Sequence, residues 1–265
     1  MRVVRLSPRT LAVLVVASVA GLAMFTWPLF ISVQPEAVAH SSDAAFYFIA
    51  TMPLLVILVL AELGDGGMDA KAIAMLGILA AINAALRPLG AGTAGIETVF
   101  FLLILAGRVF GPGFGFLLGS VSMFASALLT GGVGPWLPFQ MLAASWVGLG
   151  AGLLPRRVRG RTEILMLATY GVVAAFFYGT IMNLWFWPFA TGNGSGLGYV
   201  AGAPLRTNLH RFLLFDAATS LGWDTGRAIT NVVAITVLGT AVLSTLRRAA
   251  RKAAFEAPVV FEPAA

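Results

Sequence analysis

Residues 105–155 read LAGRVFGPGFGFLLGSVSMFASALLTGGVGPWLPFQMLAASWVGLGAGLLP. After Arg108, no charged side chain occurs before Arg156. Two apolar runs, 114–130 and 137–154, are separated by Gly131-Gly132-Val133-Gly134-Pro135. Gly111-Pro112-Gly113 precedes the pair and Leu154-Pro155 closes it. A bilayer crossing needs roughly 20 apolar residues per helix. Gly and Pro clusters break helices at water or inside protein, not against lipid. The stretch is predicted to cross a membrane twice.

Working outward, the same alternation of apolar runs and breakers continues. It predicts further spans over about 10–33, 46–62, 70–88, 94–110, 163–188 and 224–246, giving an all-α polytopic membrane protein of about eight helices. Composition agrees: of 265 residues, 59% are hydrophobic and 11% charged, and the mean hydropathy is +0.91. Soluble domains carry about 25% charged residues. The reading divides the chain into a two-helix N-terminal extension (1–64), a six-helix unit (65–252) and a disordered tail (253–265). Ala37-Val38-Ala39 resembles a signal-peptide cleavage site, but the preceding apolar run is too long for one, so the first helix is expected to be retained.

Charge fixes an orientation. With the N-terminus in the cytoplasm, the inner side holds thirteen of the 17 basic residues, including Arg2, Arg5, Arg9, Lys71, Arg108 and the groups at 156–161 and 247–252. Arg87, Arg206, Arg211 and Arg227 remain outside. The positive-inside rule then predicts a multi-pass protein of the plasma membrane with both termini cytoplasmic. The same rule accounts for the net charge of +6, so no nucleic-acid partner is expected.

Several chemistries are excluded. Zero cysteines exclude disulfides and thiolate metal sites. There is no P-loop, no paired Asp-rich motif and no His-Glu-x-x-His. The inner half shows no carboxylates of the kind a proton-coupled transporter buries. No catalysis, cofactor or metal is expected.

What remains is a set of polar and aromatic residues near the outer helix ends. Asn83 and Arg87 lie one turn apart, Glu97 opens the fourth span, and Trp136 and Gln140 open the sixth. Thr180, Asn183 and Trp187 share a face of the seventh. Asp224, Arg227 and Asn231 repeat that spacing on the eighth, beside Trp223. Taken singly, each reads as an interfacial belt or a local ion pair. Together, at one depth on one side, they fit a small-ligand pocket made by Trp136, Gln140, Asn183, Trp187, Trp223, Asp224, Arg227 and Asn231. Residues 189–223 are too apolar for a loose loop and too broken for a span; Leu209–Leu221 is predicted to form a short helix lying at the outer interface or folding back into the protein, and the segment 189–223 is expected to cap the pocket. Trp27 is expected to stand apart from it.

Small residues mark the span over 70–88. Ala70, Ala74, Gly77, Ala81, Ala84 and Ala85 fall at three- and four-residue spacings. Such a stripe lets helix backbones approach closely, within this chain or against a partner.

These residues resemble a known family. KAIAMLGILAAINAALRPLG (71–90), the Arg-x-x-Gly-Pro turn at Arg108, the Gly-rich helix after it and the Gly-Gly-x-Gly-Pro-Trp turn are similar to those of a substrate-binding S component of an energy-coupling factor (ECF) transporter. The resemblance runs from Lys71 to about Lys252. It implies binding of a vitamin or related micronutrient at the outer face, with cobalamin and riboflavin-like vitamins fitting equally. It also implies docking on a transmembrane T subunit driven by two ATPase subunits, through Ala70, Ala74, Gly77, Ala81 and Ala85. On the residues alone, an autonomous transporter or channel, or a non-transporting membrane scaffold, stays open.

Overall fold

Each helix starts and stops where the sequence supplies a reason. In the computed structural model, residues 6–30, 53–54, 56–57, 59–61, 69–90, 95–190 and 196–253 are described. The tail after Ala253, the cleavage-like Ala37-Val38-Ala39 and part of the 46–62 span lie outside them; the described positions between 53 and 61 are helical. The named helices are α1 (Pro8–Phe30), α2 (Ala70–Leu86), α3 (Val99–Phe110), α4 (Pro112–Thr130), α5 (Leu137–Leu153), α6 (Arg161–Ala190), α7 (Leu205–Thr219) and α8 (Leu221–Ala253). No strand occurs among the described residues.

Asp69 caps α2 by accepting the Lys71 N–H on its side chain, and Arg87–Leu89 tightens the end of that helix into a 3₁₀ turn. Gly111, at φ 101°, makes the sharp turn from α3 into α4, where Pro112 takes the first helical position. Gly131 ends α4 in the left-handed conformation, its N–H returning to the Ala127 carbonyl. The chain leaves α5 at Leu154 in extended conformation, as the residue before Pro155 must.

Among the described residues, five helices are long and apolar enough to cross a membrane: α1, α2 with its 3₁₀ turn, α4, α6 and α8. Two of the expected crossings are shorter. The span expected over 94–110 begins only at Val99, and α3 has 12 residues, about 18 Å of helix. It needs no more length, because it is buried on almost every face and meets protein rather than lipid. α5 has 17 residues and is likewise largely buried. The short helix expected over 209–221 forms as α7, starting one turn earlier, and α8 follows after Ser220.

Glycine sets the closest packing. α4 and α5 meet backbone to backbone: a Cβ on Gly115 would overlap the Gly148 carbonyl, and one on Gly148 would overlap that of Gly115. Gly107 meets the same Gly148 carbonyl from α3, and Gly119 lies against Ala144 and Ser145. Without a hydrophobic effect between helices in lipid, such approach gains van der Waals contact that larger residues would forfeit. α6 and α8 pair in the same manner, Gly171 against Asn231 and Gly239 against Ile164. α1 shares this core. Its Phe25 ring stands edge-on to Phe139 at 5.0 Å, and Trp146 Nε1 donates to Ser18 Oγ at 3.0 Å.

The glycine contacts give a sharp expectation. Gly148→Leu drives a side chain into backbone that cannot move aside, so its cost is expected at or above the upper end of the usual 1–3 kcal/mol for overpacking. Gly222→Ala meets open space and is expected to stay within about 0.5 kcal/mol. Thermal unfolding of the purified protein in detergent compares them. Equal midpoints for Gly148→Leu and wild type would mean the α4–α5 contact does not hold the bundle.

Candidate functional site

α6 and α8 run antiparallel, so the bundle has two ends: one rich in tryptophan and one rich in arginine. The tryptophan-rich end is organised around Arg227. Its side chain is 8% exposed and its Nε donates to Glu97 Oε2 at 2.7 Å. Nη1 donates to Asp224 Oδ1 and to the Ala175 carbonyl. Tyr178 and Phe100 lie beneath the guanidinium, their ring centres 5.1 Å and 5.6 Å from Cζ. Asp224 also accepts from Ser220 Oγ at 2.9 Å. Gly179 of α6 has no side chain because the Asp224 carboxylate occupies that space. A buried arginine is tolerable only with such pairing.

A second polar cluster joins α2, α4 and α5. Arg87 donates to Gln140 Oε1 at 3.3 Å and to Ser126 Oγ at 3.5 Å. One turn deeper, Asn83 Nδ2 donates to Ser122 Oγ at 3.0 Å. Thr98 Oγ1 donates to the Leu86 carbonyl at 2.5 Å, which brings the neighbours of Glu97 and Arg87 together, so the two clusters adjoin. Asn83 Oδ1 and Asn231 Oδ1 are buried polar atoms with no partner among the described residues. Asn231 Nδ2 donates to the Gly171 carbonyl at 3.0 Å.

The third cluster fastens a cap. Asp216 of α7 accepts from Asn183 Nδ2 at 2.8 Å and from Thr180 Oγ1 at 3.0 Å. Trp187 is fully buried with Leu184, Phe212 and Phe215, and its Nε1 donates to the Leu197 carbonyl at 2.8 Å. Tyr199 packs edge-on to Trp187 at 5.5 Å, and burial pushes its hydroxyl above the ordinary tyrosine range. Asn208 clamps Val200 through both its N–H and its carbonyl.

The expected site residues therefore fall into three neighbouring groups. Gln140 belongs with Arg87; Asp224 and Arg227 with Glu97; Asn183 and Trp187 with the cap. Asn231 sits two turns below Asp224. Trp136 and Trp223 are among the exposed large side chains, with Trp136 Nε1 folded back to the Gly132 carbonyl. Trp27 does not stand apart: it is buried and its ring lies 6.2 Å from Tyr199. Sequence reading missed Asp216 and Tyr178 as members. Asp216 and Thr219 lie one turn apart on α7 opposite Thr180 and Asn183, which was the available signal.

The small-residue stripe lies elsewhere, on the outside of α2. Ala70, Ala74, Gly77, Ala81 and Ala85 are all exposed. Ala84 departs from the expected face and is fully buried with Ala72, Leu76 and Ala80. A Cβ on Gly77 would meet nothing within 4 Å.

A family model described as "ECF transporter, substrate-specific component" matches residues 71–245. No curated protein and no solved structure matches the chain.

Removing Arg227 strands a carboxylate that is 2% exposed. Arg227→Ala is expected to cost about 3–5 kcal/mol of stability, whereas Gln140→Ala, losing one partly buried hydrogen bond, costs about 1 kcal/mol. Unfolding in graded denaturing detergent ranks the two. An Arg227→Ala protein as stable as wild type would remove the ion cluster from its role in joining α3 to α8.

Proposed function

Because the chain belongs to the substrate-specific components of ECF transporters, we propose that it binds a ring-bearing vitamin or related micronutrient at the tryptophan-rich end. A T subunit with two ATPase subunits then drives its release on the other side. The chain is a multi-pass membrane protein whose part in transport is selective binding. In this reading residues 65–252 form the substrate-binding unit, 1–64 a membrane extension and 253–265 a tail. Both termini face the cytoplasm.

The proposed site is the set drawn from the sequence with Arg87 added, and geometry divides the roles between ligand contact and support. Arg87 and Gln140 offer a donor and an acceptor that are only part-buried, and Trp136 and Trp223 stand at the rim to pack on a flat ring. Asp224, Arg227 and Asn231 form the polar floor. Asn183 and Trp187 hold the cap through Asp216 and Leu197. Glu97 and Tyr178 join the set as neighbours of Arg227.

The coupling half of this reading is carried by one observation: all five stripe residues of α2 are exposed while the intervening Ala72, Leu76, Leu79 and Asn83 are buried. A face of small side chains turned away from its own bundle supports contact with another helix. Ile73, Ile78 and Ile82 flank it and are also exposed.

Two variants separate binding from coupling. Arg87→Ala is expected to weaken vitamin binding by the purified subunit about tenfold to a hundredfold, the loss of a charge-assisted bond, while still assembling with the T subunit. Gly77→Leu is expected to keep affinity and thermal stability but lose the complex and uptake. Native mass spectrometry of the wild-type subunit names the vitamin first. Undiminished assembly and uptake by Gly77→Leu would sink the proposed interface, and undiminished affinity in Arg87→Ala would move the site.

Orientation has its own test. A reporter fused after Lys252 is expected to read cytoplasmic, and one inserted near Gly194 external. A cytoplasmic signal at Gly194 would overturn the helix count.

A further inference from the structure

The arginine-rich end is built around a buried carboxylate, which corrects the expectation that the inner half holds none. Glu163, at the first turn of α6, is 1% exposed. Its Oε1 accepts from Arg108 Nε and from Arg247 Nη2, each at 2.7 Å. Arg108 is fixed further by the Leu154 and Val158 carbonyls, each 2.9 Å from its Nη atoms. This triad ties α3, α6 and α8 together and leaves an excess positive charge.

Two cavities open beside it, and both are lined by Arg247 and Arg251. One, of about 200 Å³, is walled by Arg108, Arg156 and Arg159 as well. The other, of about 650 Å³, lies between α6 and α8 and adds Arg161 and Arg248. Seven arginines thus surround one carboxylate. Among the described residues, no hydrogen bond or ion pair engages the side chains of Arg156, Arg159, Arg161, Arg248 or Arg251. Surface arginines often stand free, but five free guanidiniums around two neighbouring cavities that share Arg247 and Arg251 repel one another and leave a fork geometry suited to phosphate oxygens.

The larger cavity also extends along the two helices as a groove of mixed lining, in which the Ser244 and Thr236 hydroxyls are turned back to the Ala241 and Val232 carbonyls of their own helix. Below the arginines it runs past Ser244 to Leu243, Thr240, Thr236 and Ile164. From Arg247 to Thr236 is about 17 Å along α8, on helices apolar enough to cross a membrane. A soluble phosphate has no use for such a groove, and an acidic protein loop would have to enter the hydrocarbon. A lipid matches both parts: phosphate on the guanidiniums, acyl chain along the groove. We propose that this end of the α6–α8 pair binds a phosphate-bearing anion, namely the headgroup of an anionic glycerophospholipid. The site is separate from the proposed vitamin site and does not depend on it.

The test uses the full chain in nanodiscs of dioleoyl phosphatidylcholine containing dioleoyl phosphatidylglycerol, released and weighed by native mass spectrometry. Wild type is expected to retain phosphatidylglycerol in preference to phosphatidylcholine. Arg161→Ala/Arg248→Ala/Arg251→Ala, which leaves the Arg108–Glu163–Arg247 triad intact, is expected to lose that preference by about fivefold for each arginine removed. Its melting temperature should not change, since none of the three has a partner to lose. Arg206→Ala, an exposed arginine at the opposite end, should retain the lipid. Equal retention of the two lipids by wild type, or an unchanged preference in the triple variant, overturns the proposal. Displacement of the lipid by millimolar glycerol phosphate would make a soluble phosphate the ligand and overturn the lipid assignment. A triple variant that keeps its lipid but loses the coupling subunits would assign the arginines to a protein partner and overturn it equally.

Discussion

An arginine inside a membrane bundle must be neutralised where it stands, and much of the tryptophan-rich end follows from that requirement at Arg227. Its partners come from three places in the chain: Glu97 before α3, Asp224 one turn earlier on α8, and the Ala175 carbonyl of α6. To bring them together, α6 must lack a side chain at Gly179, where Asp224 sits, and Phe100 and Tyr178 must present ring faces to the guanidinium. Any sliding of α8 against α6 breaks several of these contacts at once. The cost of a half-broken buried ion pair, several kcal/mol, outweighs what one repacked methyl group could return.

The opposite end repeats the device with the signs exchanged. There a single buried carboxylate, Glu163, is held between Arg108 and Arg247. The α6–α8 pair is therefore clamped at both ends and packed through glycines between them, at Gly171 and Gly239. α3 enters both clamps, through Glu97 just before its start and Arg108 near its end. This explains why a helix too short to cross alone is nonetheless the most enclosed in the bundle. The three helices form one rigid unit, and neither end can be loosened without cost at the other.

The fold was legible in the sequence to the extent that lipid imposes it. Apolar runs and Gly–Pro breakers placed the helices because every backbone group in hydrocarbon must be paired internally. The small residues of α2 were legible as a stripe at turn spacing, but not whether they pack inside the chain or face outward: Ala84 faces the core, and the other five are exposed. Partners were not legible. Arg87 to Gln140, Arg227 to Glu97 and Arg108 to Glu163 are long-range choices that depend on how each helix is rotated. A helix as uniformly apolar as α2 shows no moment from which to read that rotation. Trp187 illustrates the consequence: it shares a helical face with Asn183, but spacing alone does not show that Phe212 of α7 and Tyr199 pack against its ring.

The magnitudes rank the ways this bundle can open. Clamped helices resist with several kcal/mol per clamp, and the glycine contacts of α4 and α5 leave no space to exploit. The cap is held differently. Asp216 meets Asn183 and Thr180 at part-buried sites, where a hydrogen bond contributes about 1 kcal/mol, and its apolar footing is the small cluster around Trp187. Of these contacts, the ones that hold α7 against α6 therefore cost the least to break. α2 offers the complementary freedom: it contacts α4 on one face and leaves the stripe from Ala70 to Ala85 bare on the other. Neither the stripe residues of α2 nor the Asp216 contacts of α7 take part in the charge pairs at Arg227 and Glu163, so a change at either leaves those pairs in place.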